Sequence, residues 1–197
     1  MRIRKPHTAV LTGVVAAVGL LAVGCGSLED WKADSSGDRH KTAKRGIARP
    51  EGDYRSTLTL SDGRKVAVRL VRGTGVQERH QDAGSTTWSA WRTLYKTDAD
   101  LCQGVDLAEV NRTVSLIADF GLYCSDGEPP TESVAGVGTG ELTDWGIDIT
   151  KDFDGWENAS INDDGSEVEF LYDSDAGPYS LRWEQGEGFG KIVTPEG

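Results

Sequence analysis

The sequence predicts an all-β body, and three observations carry that reading. Apolar and polar residues alternate over short runs, turn-forming residues sit between the runs, and no segment after residue 50 keeps a helical period. "KVAVRLV" places Val66, Val68 and Leu70 on one face, "TVSLIADF" places Val114, Leu116 and Ala118, and "EVEFLYD" places Val168, Phe170 and Tyr172. Successive side chains of a strand point to opposite faces, so each run reads as a strand with one face buried. Asp62-Gly63, Asn111 and Asp164-Gly165 precede the three runs and are residue types that tolerate φ > 0 in tight turns. Each closes a hairpin whose partner strand holds Leu58 and Leu60, Val105 and Leu107, or Ala159 and Ile161.

The hairpins also recur. Val66, Val114 and Val168 are 48 and then 54 residues apart. Trp91–Asp119 superposes without a gap on Trp145–Asp173, with five identities in 29 positions. These pair Trp91 with Trp145, Asp98 with Asp152, Asp100 with Asp154, Val114 with Val168 and Asp119 with Asp173. A repeat of about 50 residues is the length of a four-stranded propeller blade.

Between the first two hairpins lies "HQDAGSTTWSAW", in which Asp82, Gly84, Thr86 and Trp88 follow one another at short intervals. This stretch resembles the Asp-box of sialidase-type propellers, the bacterial neuraminidase repeat S-x-D-x-G-x-T-W. His80 stands where that family has Ser or Thr, and one extra residue separates Gly84 from Trp88. The resemblance implies a structural element: a carboxylate bonding the turn's amides, a permissive glycine, and a buried tryptophan beneath. It speaks for fold and not for catalysis. The 147 residues from 51 to 197 have room for about three blades, whereas propellers typically have at least about four. The expected architecture is a single antiparallel domain of about three propeller-like repeats, with a β-sandwich or barrel as the alternative.

The N-terminus reads as an export signal. Arg2, Arg4 and Lys5 form a positive head, and Thr8 to Gly24 is an uncharged, mostly apolar run of 17 residues. That is short for a membrane span, which needs about 20. Ala22 and Gly24 sit three and one before Cys25, as a cleavage site requires, so residues 1–24 read as a signal peptide. "AVGC" resembles the lipobox of bacterial lipoproteins, with Ala22 where that family prefers Leu. The resemblance implies that Cys25 is lipidated and becomes the mature N-terminus. The alternatives are an ordinary secretory cut at the same bond or an uncleaved anchor.

Of three cysteines, the lipid would use one and leave Cys102 and Cys124 as a disulfide pair in an oxidising compartment. The competing reading is two buried thiols. Residues 25–50 have few apolar side chains and no period, as in a flexible stalk, in which Trp31 is the odd residue. Fully extended, that stalk reaches on the order of 80 Å.

Charge divides along the chain. The stalk carries six Lys/Arg and four Asp/Glu, whereas residues 51–197 carry 12 and 28. After residue 100 the basic residues are Arg112, Lys151, Arg182 and Lys191. Such a body repels phosphate backbones, which disfavours nucleic acid as a partner.

Catalytic signals are sparse. There is no GxSxG, and a Ser-His-Asp triad would have to use His80, which reads as part of a charged turn. "AGVGTGE" (Ala135 to Glu141) is glycine-rich but precedes no helix that would hold a phosphate, so it reads as a turn or bulge. "DFDGWEN" and "NDDGSE" could offer oxygens to Ca²⁺ but lack EF-hand spacing and read as β-turns. No metal site and no cofactor is expected. Trp145, Trp156 and Trp183 are assigned to the core in preference to sugar stacking. Sialidase activity in the resembled family needs an arginine cluster, a Tyr-Glu nucleophile pair and an Asp; no matching arginine motif is found, so that activity is not carried over. The expected protein is a non-enzymatic, lipid-anchored binding or scaffold protein on the extracytoplasmic face of the cell membrane. Its partner would be a carbohydrate or a cell-envelope protein. The alternative is a carbohydrate-binding or sialidase-like glycoside-active protein.

Overall fold

A computed structural model describes residues 54–124 and 127–195. The expected signal peptide, Cys25, the stalk and Trp31 lie outside the described residues. The described chain forms three four-stranded antiparallel sheets from consecutive strands. The first sheet contains β1 (Arg55–Thr59), β2 (Lys65–Val71), β3 (Gly75–Gln81) and β4 (Arg92–Tyr95). The second contains β5 (Leu101–Val110), β6 (Thr113–Phe120), β7 (Glu132–Thr139) and β8 (Asp144–Lys151). The third contains β9 (Asn158–Ile161), β10 (Glu167–Ser174), β11 (Gly177–Glu184) and β12 (Gly188–Phe189). The body is therefore all-β, in three meanders of equal strand number, and none of the sheets closes into a barrel.

All three expected hairpins form, with Leu58 opposite Val66, Leu107 opposite Leu116, and Ile161 opposite Val168. Between β5 and β6 the two-residue loop puts Asn111 at φ 48° and Arg112 at φ 67°. A type I′ turn needs both central residues left-handed, because only that twist matches the flanking strands. The internal alignment is structural too: it lays β4, β5 and β6 on β8, β9 and β10.

One expectation is corrected. Ala135 to Thr139, read as a turn or bulge, belongs to strand β7 and is almost wholly buried. Its glycines are there for packing. A Cβ on Gly138 would come within 2.6 Å of the Trp145 indole, and one on Gly136 within 3.1 Å of Leu116 and Ile147.

The second sheet is the middle layer, and β6 is buried at every residue. Val114, Leu116, Ala118 and Phe120 face the first sheet, against Leu60, Val66, Val68, Leu70 and Val76. Ile117 faces the third sheet, where it joins Ala135, Val137, Trp156, Val168, Phe170, Leu181 and Trp183. The first core is mainly aliphatic and the second is richer in aromatic rings. In the second, Phe153 lies 4.8 Å from Trp156 and 4.9 Å from Tyr172, ring centre to ring centre. Each large side chain fully buried here contributes roughly 1.5–3 kcal/mol.

Equivalent turns bond across sheets. Ser61 Oγ donates to Glu109 Oε1 (2.8 Å), Asn111 Nδ2 to Asp164 O (2.7 Å), and Thr113 Oγ1 to Gly165 O (2.7 Å). Gly165 has φ 75°, and a Cβ there would press on Thr113 Oγ1 at 2.8 Å, so backbone and neighbour both demand glycine. Cys102 and Cys124 are joined in a disulfide, Cα atoms 5.1 Å apart, tying β5 to the loop after β6. In the chain-entropy model a loop of this length is worth about 3 kcal/mol.

Candidate functional site

The expected Asp-box residues lie in and after the turn that leaves β3. Ser85 N–H donates to Asp82 O (3.0 Å) and Gly84 adopts φ 72°, the left-handed third position that favours glycine. The side chain that bonds a turn amide is that of Ser85, whose Oγ accepts from Thr87 N–H at 3.0 Å. Among the described residues the Asp82 carboxylate bonds no amide of the turn. Thr86 is exposed. Trp88 is half-buried and packs against Arg79, 4.5 Å from guanidinium carbon to ring centre.

That contact opens onto a larger surface. Residues of the first sheet that alternate with Leu58, Val66, Val68, Leu70 and Val76 face away from the middle layer. On β1 these are Arg55, Thr57 and Thr59; on β2, Lys65, Ala67 and Arg69; on β3, Gln77, Arg79 and Gln81; on β4, Thr93. The register sets Arg55 opposite Arg69 and Ala67 opposite Arg79. Arg69 Cζ lies 4.0 Å from the Trp91 ring centre, and Arg79 Cζ lies 4.5 Å from both Trp91 and Trp88. The four side chains thus form a ladder, Arg69–Trp91–Arg79–Trp88. Each such contact is worth about 0.5–1 kcal/mol at an exposed site and more when dry.

Gln77 fixes one end of the ladder, its Oε1 accepting from Arg69 Nε (3.0 Å) and Nη2 (2.8 Å). Burial lowers the pKa of Arg69, and the positive charges of Arg55 and Arg79 lower it further. Those outward positions hold no Asp or Glu, and Arg79 Nε is buried without a hydrogen-bond partner.

The inward side of the same sheet is different. Glu78, 1% exposed, lies 2.8 Å from His80 Nδ1 and 3.2 Å from Arg92 Nη2. Arg92 reaches on to the carbonyls of Leu142 (2.8 Å) and Thr143 in the second sheet. His80 is therefore in strand β3 and not in a turn, and its ring serves a buried ion pair. The hydroxyl of Ser89 accepts from the His80 main-chain N–H (3.0 Å).

A second feature is a polar cavity of about 350 Å³ beside β5 and the chain leading into β9, lined by Gln103, Asp106, Asp119, Asp154, Glu157 and Asn158 among others. It offers acceptors and negative charge, and no Lys or Arg lines it. Tyr172 donates to the Asp154 carboxylate; that bond, then burial, pushes the phenol pKa up to about 12. Trp156 borders the cavity but is 3% exposed, and Trp183 is 7% exposed, so both belong to the second core. Trp145 is partly buried against the first core. Among the described residues, no group of three or more His, Cys, Asp or Glu side chains is gathered to hold a metal ion.

Searched against known proteins, the chain matches no family model and no curated protein.

In sequence Trp88 belongs to the Asp-box resemblance and Trp91 to the internal repeat, whereas Arg55, Arg69 and Arg79 belong to no motif. The available signal was the polar half of the alternation. In "KVAVRLV" and "VQERHQ" the outward charged residues are all Lys or Arg, in a body otherwise dominated by acids.

Proposed function

We propose that the chain is a lipid-anchored, non-enzymatic binding or scaffold protein on the extracytoplasmic face of the bacterial cell membrane, held there through Cys25. The observation that supports this reading best is the outward face of the first sheet. Arg69, Trp91, Arg79 and Trp88 lie side by side on a sheet surface, a composition suited to recognition, since Trp and Arg dominate the energetics of binding surfaces. A sugar-binding reading based on Trp156 and Trp183 has less support, because both rings are spent on the core.

Acylation is tested by mass spectrometry of the N-terminal peptide from the exported protein. The expected result is a diacylglyceryl-modified Cys25, and a Cys25→Ser variant recovered in the soluble exported fraction. Unchanged membrane retention of that variant would overturn the anchor. Screening the same variant on a glycan array tests the alternative: specific binding or cleavage would move the carbohydrate reading ahead.

A further inference from the structure

We infer that the outer face of the first sheet is a membrane-docking surface, which lays Arg55, Lys65, Arg69 and Arg79 on the anionic phosphate headgroups of the bilayer. The inference rests on the reading of this face as a recognition surface, and it names the partner.

Charge supports it first. Residues 55–95, the span of the first sheet, carry seven Lys/Arg and three Asp/Glu; residues 101–151 carry two and nine; residues 158–189 carry one and eight. The three sheets thus run from net +4 to −7 and −7. Packed sheets are spaced about 10 Å apart. The acids of the second and third sheets stand about one and two sheet spacings farther from a bilayer touching the first sheet than its own Lys and Arg do. A body that is acidic in total can therefore settle on an anionic surface through this one face.

Side-chain chemistry supports it next. A guanidinium matches two phosphate oxygens with a rigid fork, and Arg55 and Lys65, both exposed on this face, have no hydrogen-bond or ion-pair partner among the described residues. Tryptophan rings, apolar in body with one polar edge, favour the boundary between headgroup and acyl chain, and Trp88 and Trp91 stand among these arginines.

The competing occupant is a second copy, whose third sheet presents Glu167, Glu169 and Glu184 on its own outer face. Two of those carboxylates are already engaged by Arg182, and two exported chains, each with 18 Lys/Arg against 32 Asp/Glu from Cys25 onward, repel each other. The bilayer is favoured.

The experiment uses the exported Cys25→Ser chain, so that no acyl group contributes, in co-sedimentation with phosphatidylcholine vesicles with and without phosphatidylglycerol. Binding is expected only with the anionic lipid and is lost at high salt. Arg55→Gln combined with Lys65→Gln should weaken it roughly 25-fold, about five-fold per charge. Neither side chain has a partner among the described residues, so the fold is retained, as circular dichroism will show. The control pair Arg182→Gln with Lys191→Gln, equal in charge but on or beside the third sheet, should leave binding unchanged.

Absence of binding, equal binding to neutral vesicles, or equal loss in both variant pairs would each overturn the inference. A salt-sensitive dimer dissolved by the Arg55/Lys65 pair, with no vesicle binding, would give the face to a second copy. Mass spectrometry of Cys25 reports on the lipid anchor separately, so failure of the anchor and failure of the docking face are distinguishable.

Discussion

The first and third sheets each lay one face on the middle layer and turn the other outward, yet they differ on both sides. Inward, the first sheet contributes Val66, Val68, Leu70 and Val76, and it adds a buried carboxylate, Glu78, held by His80 and Arg92. The third contributes Phe170, Trp183, Tyr172 and Phe189, with little charge among them. Outward, the first sheet shows arginines stacked on tryptophans, whereas the third shows Glu167 and Glu184 paired with Arg182. The same four-stranded antiparallel meander therefore tolerates two solutions. One places small aliphatic groups and a specific ion pair at the joint; the other uses large rings that fill space without directional bonds.

The comparison can be broken most forcefully in the aromatic joint. Phe170→Ala removes a fully buried ring and should cost about 3–5 kcal/mol, whereas Val68→Ala, equally buried in the aliphatic joint, should cost about 2 kcal/mol. Denaturant unfolding of the two variants measures both; equal losses would mean that the joints do not differ in the way described.

Charge offers the next test. Glu78→Gln weakens a hydrogen-bonded charge that solvent does not reach, so a loss of about 2 kcal/mol is expected, little changed by added salt. Arg182→Gln on the third sheet removes an exposed ion pair and should cost less than about 1 kcal/mol, vanishing in salt. A melt series across ionic strength separates the two.

The smallest effect is alkaline. Burial, then the bond to Glu132 in the second sheet, raises the Tyr95 phenol pKa to about 12, and Tyr172 is raised as far on the other side. Both groups hold their protons more tightly folded than unfolded. Their stabilisation is complete below the unfolded pKa of about 10 and is lost as pH climbs toward 12. Ultraviolet titration of Tyr95→Phe and Tyr172→Phe should show each removing one late-ionising phenol, and the stability of either variant should fall less steeply over that window.

The hairpins β1–β2, β5–β6 and β9–β10 were legible because period-two alternation and the Asp62-Gly63, Asn111 and Asp164-Gly165 turns agree with each other. The disulfide was legible from counting. Strand β3 was not, because its inward position Glu78 breaks the apolar alternation, and that charge makes sense only beside Arg92 and the Leu142 carbonyl of another sheet. Strand β7 was hidden by Gly136 and Gly138, whose missing side chains are explained by Trp145, Leu116 and Ile147 packed against them. The arginine–tryptophan face depends on register, with Arg79 opposite Ala67 and Arg69 opposite Gln77. One sequence shows which residues alternate, but not which strands they meet.

Strand β6 has hydrogen-bonded neighbours along both edges and a packed core on each face, with all eight residues buried. Its amides cannot reach water by the loosening of either outer sheet alone. Exchange of their hydrogens for deuterium thus becomes a clock for the whole body, running only when both joints part together.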